Sequence, residues 1–488
     1  MSKIPFKHSP FDCGRRTRPP LRAAFRNDET TIRLSDYQTR RPLDYMTTFH
    51  FPKGFLWGTA TAAHQVEGNN TNNQWWKWEQ EGHTNGKSGL ACDWWGGRWR
   101  EDFDRAAEGG QNAHRLSVEW SRIQPAPDRW DEDALEKYRA MLRGLKERGI
   151  TPMVTLHHFS NPLWLEEMGG WETDAVIALF EKFVRKTVDA LKEYCTLWCT
   201  LNEPQGYALN GYVRGGLSGN WPPGKNNLKL SMQVMANLVR GHVAAYHALH
   251  QIQPEARVGL ALNYRSFVPH HSWSPLDRLL TKNADNLINK VFPMALSNGV
   301  IRTSVATIRI PEARDTQDYF GFNYYTRNRV TFDVRRPQTF FSNGFFAKDA
   351  DLSDKAFLAN EPDGMFEGLK WVVRTFPNLP ILVTENGVAD EGDRLRPRYI
   401  ARHIHQVWRA VNFNWPIKGY FHWSLVDNFE WDHGWNLRFG LWALDPETQK
   451  RTKRPSADLY AAICHENGLS SEMVQKYCPE VFEKLFPS

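Results

Sequence analysis

The chain has 488 residues, 41% hydrophobic and 24% charged, which excludes a disordered polymer and leaves room for two or three ordinary domains or one large α/β barrel. Sixty-one Lys and Arg stand against 55 Asp and Glu, a formal charge of +6, and ten basic against five acidic residues put +5 of it in residues 1–45. No run of 18 apolar residues predicts a membrane span, no apolar stretch follows the N-terminal charges as a secretory signal requires, and six cysteines are too sparse for a disulfide framework.

Residues 1–48 are Arg- and Pro-rich and lack any helical or strand period, so they read as a poorly ordered basic extension. Met46 stands just before the folded texture begins, and a start there is one expectation. A transit peptide is the rival, weakened by the five acidic residues. Residues 49–488 read as one folded domain. Reduced thiols without an export signal imply a cytoplasmic protein. Cys195 and Cys199 lie four apart with no second pair at zinc spacing, so no metal site is expected.

Short apolar runs recur along this domain, each followed by a helical pattern. They fall at 55–60, 113–118, 152–158, 196–202, 257–263, 318–324, 380–385 and 417–423. Apolar strands of this kind are covered on both faces, as in parallel sheets. Between them, Leu135, Tyr138, Leu142 and Leu145 follow Asp131 at helical spacing. Val176, Phe180, Phe183, Val184, Val188 and Leu191 do the same over 173–193, with Thr173 as the expected N-cap. Eight strands alternating with helices predict a closed (β/α)8 TIM barrel. An open doubly wound sheet is disfavoured because no Gly-rich phosphate turn follows the first strand.

Such a barrel carries its active groups at the C-terminal strand ends. Those ends hold Gln65, Arg115, His158, Asn202, Glu203, Asn263, Asn323, Tyr325, Glu385, Asn386 and Trp423 in strand order. Polar groups on apolar strands are costly unless satisfied, and here all eight strands carry them. Glu203 in TLNEP and Glu385 in VTENG end the fourth and seventh strands, placed to face one another across a central pocket. Two carboxylates so placed, one protonated and one ionised, are the minimum equipment for cleaving a glycosidic bond.

With these motifs in hand, the sequence resembles the family 1 glycoside hydrolases, the retaining β-glucosidases and β-galactosidases, over roughly residues 50–465. FLWGTATAAHQVEG, RLSVEWSRI, TLHHFSNP, TLNEP, GFNYYT, TENG and WSLVDNFEW occur in the family's order, with TLNEP and TENG about 180 residues apart. The resemblance implies that Glu203 is the general acid/base and Glu385 the nucleophile, with carboxyls ~5–5.5 Å apart. It implies that Arg115 and Tyr325 keep Glu385 ionised. Gln65, His158, Asn202 and Glu430 then bind the hydroxyls of the nonreducing sugar. Asn323 lines the same pocket, Trp423 lies under the ring, Phe439 adds apolar wall, and Trp431 adds a polar contact.

The implied activity is hydrolysis of terminal nonreducing β-D-glycosyl residues through a covalent glycosyl-enzyme, on β-glucosides and also on β-galactosides and β-fucosides. Glu430 disfavours a 6-phosphorylated sugar, because a carboxylate repels phosphate, and retention of both glutamates disfavours a branch lacking its acid. The sequence departs from the family's commoner pattern at Phe159, Ser160 and Asn161 and again at Trp94 and Trp95, which bears on the choice among gluco, galacto and fuco sugars. No cofactor or metal is implied. The partner is a small-molecule β-glycoside, with no nucleic acid or membrane, and homo-oligomerisation is left open.

Tryptophan is abundant, 21 residues. Trp75, Trp76, Trp78, Trp94, Trp95, Trp99 and Trp221 are candidates for an aglycone cleft, with about half of all Trp expected in core seams. Two other readings are carried along. One is a sugar-binding pseudoenzyme on the same barrel, and the other is nucleic-acid binding, suggested by the pI of 8.9 but without a recognisable motif.

Overall fold

The computed structural model describes residues 47–213, 221–303 and 306–487. The expected extension at 1–46 lies outside the described residues. Thr48, counted with that extension on sequence grounds, pairs instead with Ser470 in a short antiparallel ladder, Thr48–His50 against Gly468–Ser470, which ties the two ends of the described chain together. Phe49 seals this junction, stacked on Phe486 at 4.6 Å and packed on Trp408.

Eight parallel strands form a closed barrel. They are β1 (Leu56–Ala60), β2 (Ala113–Ser117), β3 (Thr151–His157), β4 (Leu197–Asn202), β5 (Arg257–Pro269), β6 (Tyr319–Phe332), β7 (Ile381–Asn386) and β8 (Ile417–His422). Each pairs with the next in sequence, and β8 closes on β1 through Gly419↔Leu56 to His422↔Thr59. Five of the eight expected strand starts differ by one residue from the observed ones, and three, at 113, 257 and 417, coincide with them. Strands β5 and β6 run well past their predicted ends. Their pairing continues from Asn263↔Asn323 to Pro269↔Val330, with a register shift between Tyr264 and Ser266, so this side of the barrel wall projects above the rim. Alternation of polar and apolar residues beyond residue 263 hid that projection, because its outer half is no longer buried on both faces.

Helices cover the barrel. The ones that matter below are α1 (Trp99–Glu108), α2 (Glu132–Glu147), α3 (Ala175–Leu191), α4 (Pro204–Tyr212), α5 (Leu228–Ile252) and α6 (Arg396–Asn412). Asp131 caps α2, accepting from the Ala134 N–H at 2.9 Å, so one of the unpaired N-terminal donors is satisfied. The apolar stripe of α3 is fully buried, from Val176 through Phe180, Phe183 and Val188 to Leu191. Each such side chain contributes about 1.5–3 kcal/mol when removed from water. Truncating Phe180 to Ala would cost about 3–5 kcal/mol through the cavity it leaves.

Thr173 is not the cap of α3. The helix starts one residue later, after Asp174, and the Thr173 hydroxyl instead donates to Gly170 O in the preceding 3-10 turn. Gly169 and Gly170 hold positive φ there and turn the chain before the helix can begin. No helix among the described residues is long and apolar enough to cross a membrane.

Candidate active site

Glu203 and Glu385 line one cavity of about 160 Å³ at the C-terminal ends of the strands, together with His158, Asn202, Tyr325, Trp423, Glu430, Trp431 and Phe439. Closure of the barrel brings β4 and β7 to opposite sides of this space. Three residues of the wall hold left-handed backbones, Phe159 (φ 69°), Glu203 (φ 42°) and Trp431 (φ 49°). Such conformations cost about 1–3 kcal/mol each in a non-glycine residue and survive where the surroundings over-determine them.

The two carboxylates have opposite surroundings. Glu385 Oε1 accepts from Arg115 Nη1 at 2.6 Å and Oε2 accepts from the Tyr325 hydroxyl at 2.6 Å. Both of its oxygens are thus held by strong donors, one of them a cation. Burial, and then the neighbouring Glu385 charge, drives the Tyr325 hydroxyl well above its usual pKa, so it stays a donor. Arg115 is fully buried on β2 and is held by Thr155 Oγ1 at 2.9 Å and by Asn202 Oδ1 at 2.6 Å.

Among the described residues, the Glu203 carboxyl accepts hydrogen bonds only from amides. Asn263 Nδ2 donates to Oε2 and Asn323 Nδ2 to Oε1, each at 2.9 Å. Burial first, and then the charge of Glu385, push its pKa up to about 7, against the lowering effect of the two amides. The Glu203 carbonyl receives the Tyr207 N–H and so opens α4, whose first residue is Pro204. Proline fits that position, where a backbone N–H would lack a partner.

The remaining predicted residues gather around these two. Asn202 Nδ2 donates to His158 Nε2 at 2.9 Å, which leaves the ring proton on Nδ1. That Nδ1 is buried without a partner. Burial, reinforced by Arg115, holds the His158 pKa well below the ordinary histidine value, so the ring is neutral. Gln65 spends its Nε2 on Asn428, Phe429 O and Glu430 Oε2, and its Oε1 is buried and unpartnered. Burial, then Asp432 and Glu385, raise the Glu430 carboxyl to about 8. Asn323 is completely buried. Its amide bridges Glu203 and Asn202, and its Oδ1 accepts from Thr384. Trp423 is 5.9 Å from the His158 ring, Trp431 stacks near His158, Phe159 and Trp75, and Phe439 meets Tyr325 edge-on.

The sequence model of glycosyl hydrolase family 1 matches residues 47–469. The chain belongs to glycosyl hydrolase family 1. It is 30% identical to β-glucosidase A of Thermotoga maritima over 453 residues, covering 87% of this chain and all of that one. It is 29% identical to a β-galactosidase of Saccharolobus solfataricus, covering 87% and 97% of the two chains. Among solved structures it resembles a β-glycosidase from Pyrococcus horikoshii with a TM-score of 0.81 and 35% identity, covering 88% of this chain and 98% of that one.

Of the seven tryptophans considered for an aglycone cleft in this family 1 chain, only Trp221 lines the cavity, with its indole N–H on Asp432 Oδ1. Trp75 supports Trp431 from behind. Trp94 and Trp99 are buried in a seam with Phe103 of α1, and Trp94 Nε1 donates to Asp102. Trp95 lies under Arg122 and Lys137, and Trp78 stacks on His83. Of the departures from the common pattern, Phe159 packs edge-on against Trp221 and Trp431, while Ser160 and Asn161 are turned away to Glu119 and to Tyr207 and Glu166. Asn263 gained no role from the sequence, although it sits on Glu203. No group of three or more potential metal-ligating side chains occurs among the described residues.

Proposed function

We propose that the protein is a retaining β-glycosidase that removes terminal nonreducing β-D-glucosyl residues, and also β-galactosyl and β-fucosyl residues, through a covalent glycosyl-enzyme. The observation that carries this reading is the contrast between its two cavity carboxylates. Glu385 receives a guanidinium and a phenol, while Glu203 receives two neutral amides and has a pKa raised to about 7. One is equipped to be an anion and the other to carry a proton at neutral pH.

The steps follow from those states. The Glu385 carboxylate attacks the anomeric carbon, and the bond to the aglycone oxygen breaks as Glu203 gives that oxygen its proton. Arg115 and Tyr325 hold Glu385 in line. Water then enters, Glu203 takes its proton, and the hydroxide adds to the anomeric carbon as the ester to Glu385 breaks, so the configuration returns to β. Buried groups with spare capacity, Gln65 Oε1 and His158 Nδ1–H, together with Glu430, are suited to the sugar hydroxyls. Trp423 and Phe439 supply the apolar surface for the ring. No cofactor enters this scheme.

The similarity to enzymes named β-glucosidase and β-galactosidase supports a site tolerant of either O4 epimer. A sugar-binding pseudoenzyme would need neither the buried Arg115–Glu385 pair nor an acid raised towards neutrality. Five described cysteines, all buried and free, support a reducing compartment such as the cytoplasm. The test is turnover of 4-nitrophenyl β-glucoside, β-galactoside and β-fucoside with Glu385→Gln as the blank, and NMR of the first-formed anomer. β-Glucose appearing first is expected. α-Glucose first would overturn retention, and no turnover of any of the three would overturn the activity.

A further inference from the structure

The same cavity is also lined by Gln205, Leu209, Asn210, Tyr264, Arg265 and Ile288, a compartment that adjoins Glu203 through the Gln205–Asn263 and Asn263–Glu203 hydrogen bonds. Arg265 is the one Arg or Lys among the lining residues described. It lies on β5 two residues beyond Asn263, the partner of Glu203, and so about 6–7 Å farther towards the mouth.

The position of Arg265 is built, not incidental. The pairing register of β5 with β6 shifts between Tyr264 and Ser266, where Arg265 alone faces two residues of β6, Tyr325 and Thr326, so β6 carries a bulge directly opposite Arg265. Buried Asn289 holds the Arg265 backbone, accepting from its N–H at 2.9 Å and donating to its carbonyl at 2.7 Å. The guanidinium has one polar partner among the described residues, Asn328 Oδ1 at 3.3 Å from Nη1, and no carboxylate there forms an ion pair with it.

Two groups in this compartment are therefore incomplete. A cation partly removed from water and left without an anion is costly. Burial pulls the Arg265 pKa down, and the one acid that opposes this is Glu203, itself largely protonated below neutrality. Gln205, 1% exposed, donates through Nε2 to Asn263 O at 2.9 Å, and its Oε1 is buried without a partner. The lining thus includes a planar cationic fork and a lone acceptor.

We infer that the natural aglycone carries a carboxylate, bound by Arg265, and beside it a hydroxyl or N–H donor for Gln205 Oε1. The five donors of the guanidinium lie in one plane and match a carboxylate. The inference rests on the β-glycosidase reading above and names the class of leaving group that site takes. Arg265 is then a specificity residue that touches the aglycone, and the reaction that supplies this substrate is a glucosyl transfer onto a hydroxy acid.

The experiment compares kcat/KM for 4-carboxyphenyl and 4-carbamoylphenyl β-D-glucoside, which share a shape and differ in charge. Wild type is expected to favour the carboxylate about tenfold or more, the effect of one charge-assisted hydrogen bond. The ratio is expected to fall to near one in Arg265→Gln and to an intermediate value in Arg265→Lys. Inhibition of the wild type by 4-hydroxybenzoate against 4-hydroxybenzamide reads the same preference should a variant fail to fold. A wild-type ratio at or below one, or a ratio unchanged by Arg265→Gln, would overturn the inference while leaving the activity standing. Failure to cleave these and 4-nitrophenyl β-glucoside alike would instead overturn the β-glycosidase reading, and this inference with it.

Discussion

Arg115 Nη1 lies 2.6 Å from Glu385 Oε1, and both side chains are out of contact with bulk solvent. The pair spans the barrel from β2 to β7. Its other guanidinium nitrogen reaches Asn202 on β4, and Nε reaches Thr155 on β3. One side chain thus fixes groups on three strands relative to the nucleophile candidate. The desolvation cost of such a pair is high, and it is met only because every nitrogen of the fork has an acceptor.

Removing the cation should therefore harm both chemistry and stability. Arg115→Met leaves the Glu385 carboxylate buried without its cationic partner. We expect kcat on 4-nitrophenyl β-glucoside to fall by about 100-fold or more at pH 6. Stability should fall by about 3–5 kcal/mol, as for a buried pair stripped of one partner. Steady-state kinetics and urea unfolding of the same preparation check the two effects separately.

Glu203 gives a pH prediction with a definite sign. As the proposed acid, Glu203 must be protonated in the first step, so with a pKa of about 7 in the free protein the alkaline limb of kcat/KM lies near pH 7. The Asn263 and Asn323 amides stabilise its anion, and removing either favours the protonated form. Asn263→Ala should move the alkaline limb upward by about one pH unit, the worth of one hydrogen bond to a charged group. A limb that stayed in place or moved down in a kcat/KM–pH profile would contradict the assignment of the acid.

Much of this site was legible in the sequence, for a physical reason. Apolar strands covered on both faces stand out, and the first polar residue after each marks its exit from the core, which is how Glu203 and Glu385 were found. What such reading misses is set by register and closure. Asn263 and Thr155 acquire meaning only once neighbouring strands bring them to Glu203 and Arg115. Arg265 sits opposite a bulge of β6 that leaves no mark in composition. The tryptophans near the N-terminal end were over-read as a cleft because Trp94 and Trp99 pack α1 against the barrel, a role with the same hydrophobic signature.

Behind the nucleophile candidate, a polar network fixes its neighbour. Asn386 Nδ2 donates to Tyr324 O at 2.6 Å and to the Tyr399 hydroxyl at 3.0 Å, and Tyr399 of α6 passes its own proton to Tyr325 O at 2.8 Å. Tyr420 completes the set by donating to Asn386 Oδ1. Tyr399→Phe should cost about 1–3 kcal/mol by leaving buried groups unpaired. Because the Tyr325 hydroxyl donates to Glu385, we expect kcat to fall about threefold to tenfold with KM nearly unchanged, a split that kinetics on one aryl glucoside measures.

The buried titratable groups also predict how stability follows pH. Burial raises Glu67, Glu166 and Glu203 to about 7 and Glu430 to about 8. The folded protein then holds protons that the unfolded chain has released above its ordinary glutamate value, so these four groups lower stability as pH rises towards 7–8. Buried histidines act the other way. His114, His403 and His422 fall to about 3, and His157, His242 and His405 to about 4. The unfolded chain protonates them below about 6.5 while the folded one does not, so stability grows as pH rises to that value and gains nothing beyond it. His158 is also lowered and Asp432 also raised by burial, so from 4.5 to 6.5 seven histidines outweigh five carboxyls, and above 6.5 only the carboxyl loss continues. Tm should therefore peak near pH 6.5 and decline by pH 8, and Glu67→Gln should flatten the alkaline decline. A Tm that rose steadily from pH 6.5 to pH 8 in differential scanning calorimetry would show that these carboxyls ionise in the folded state without cost.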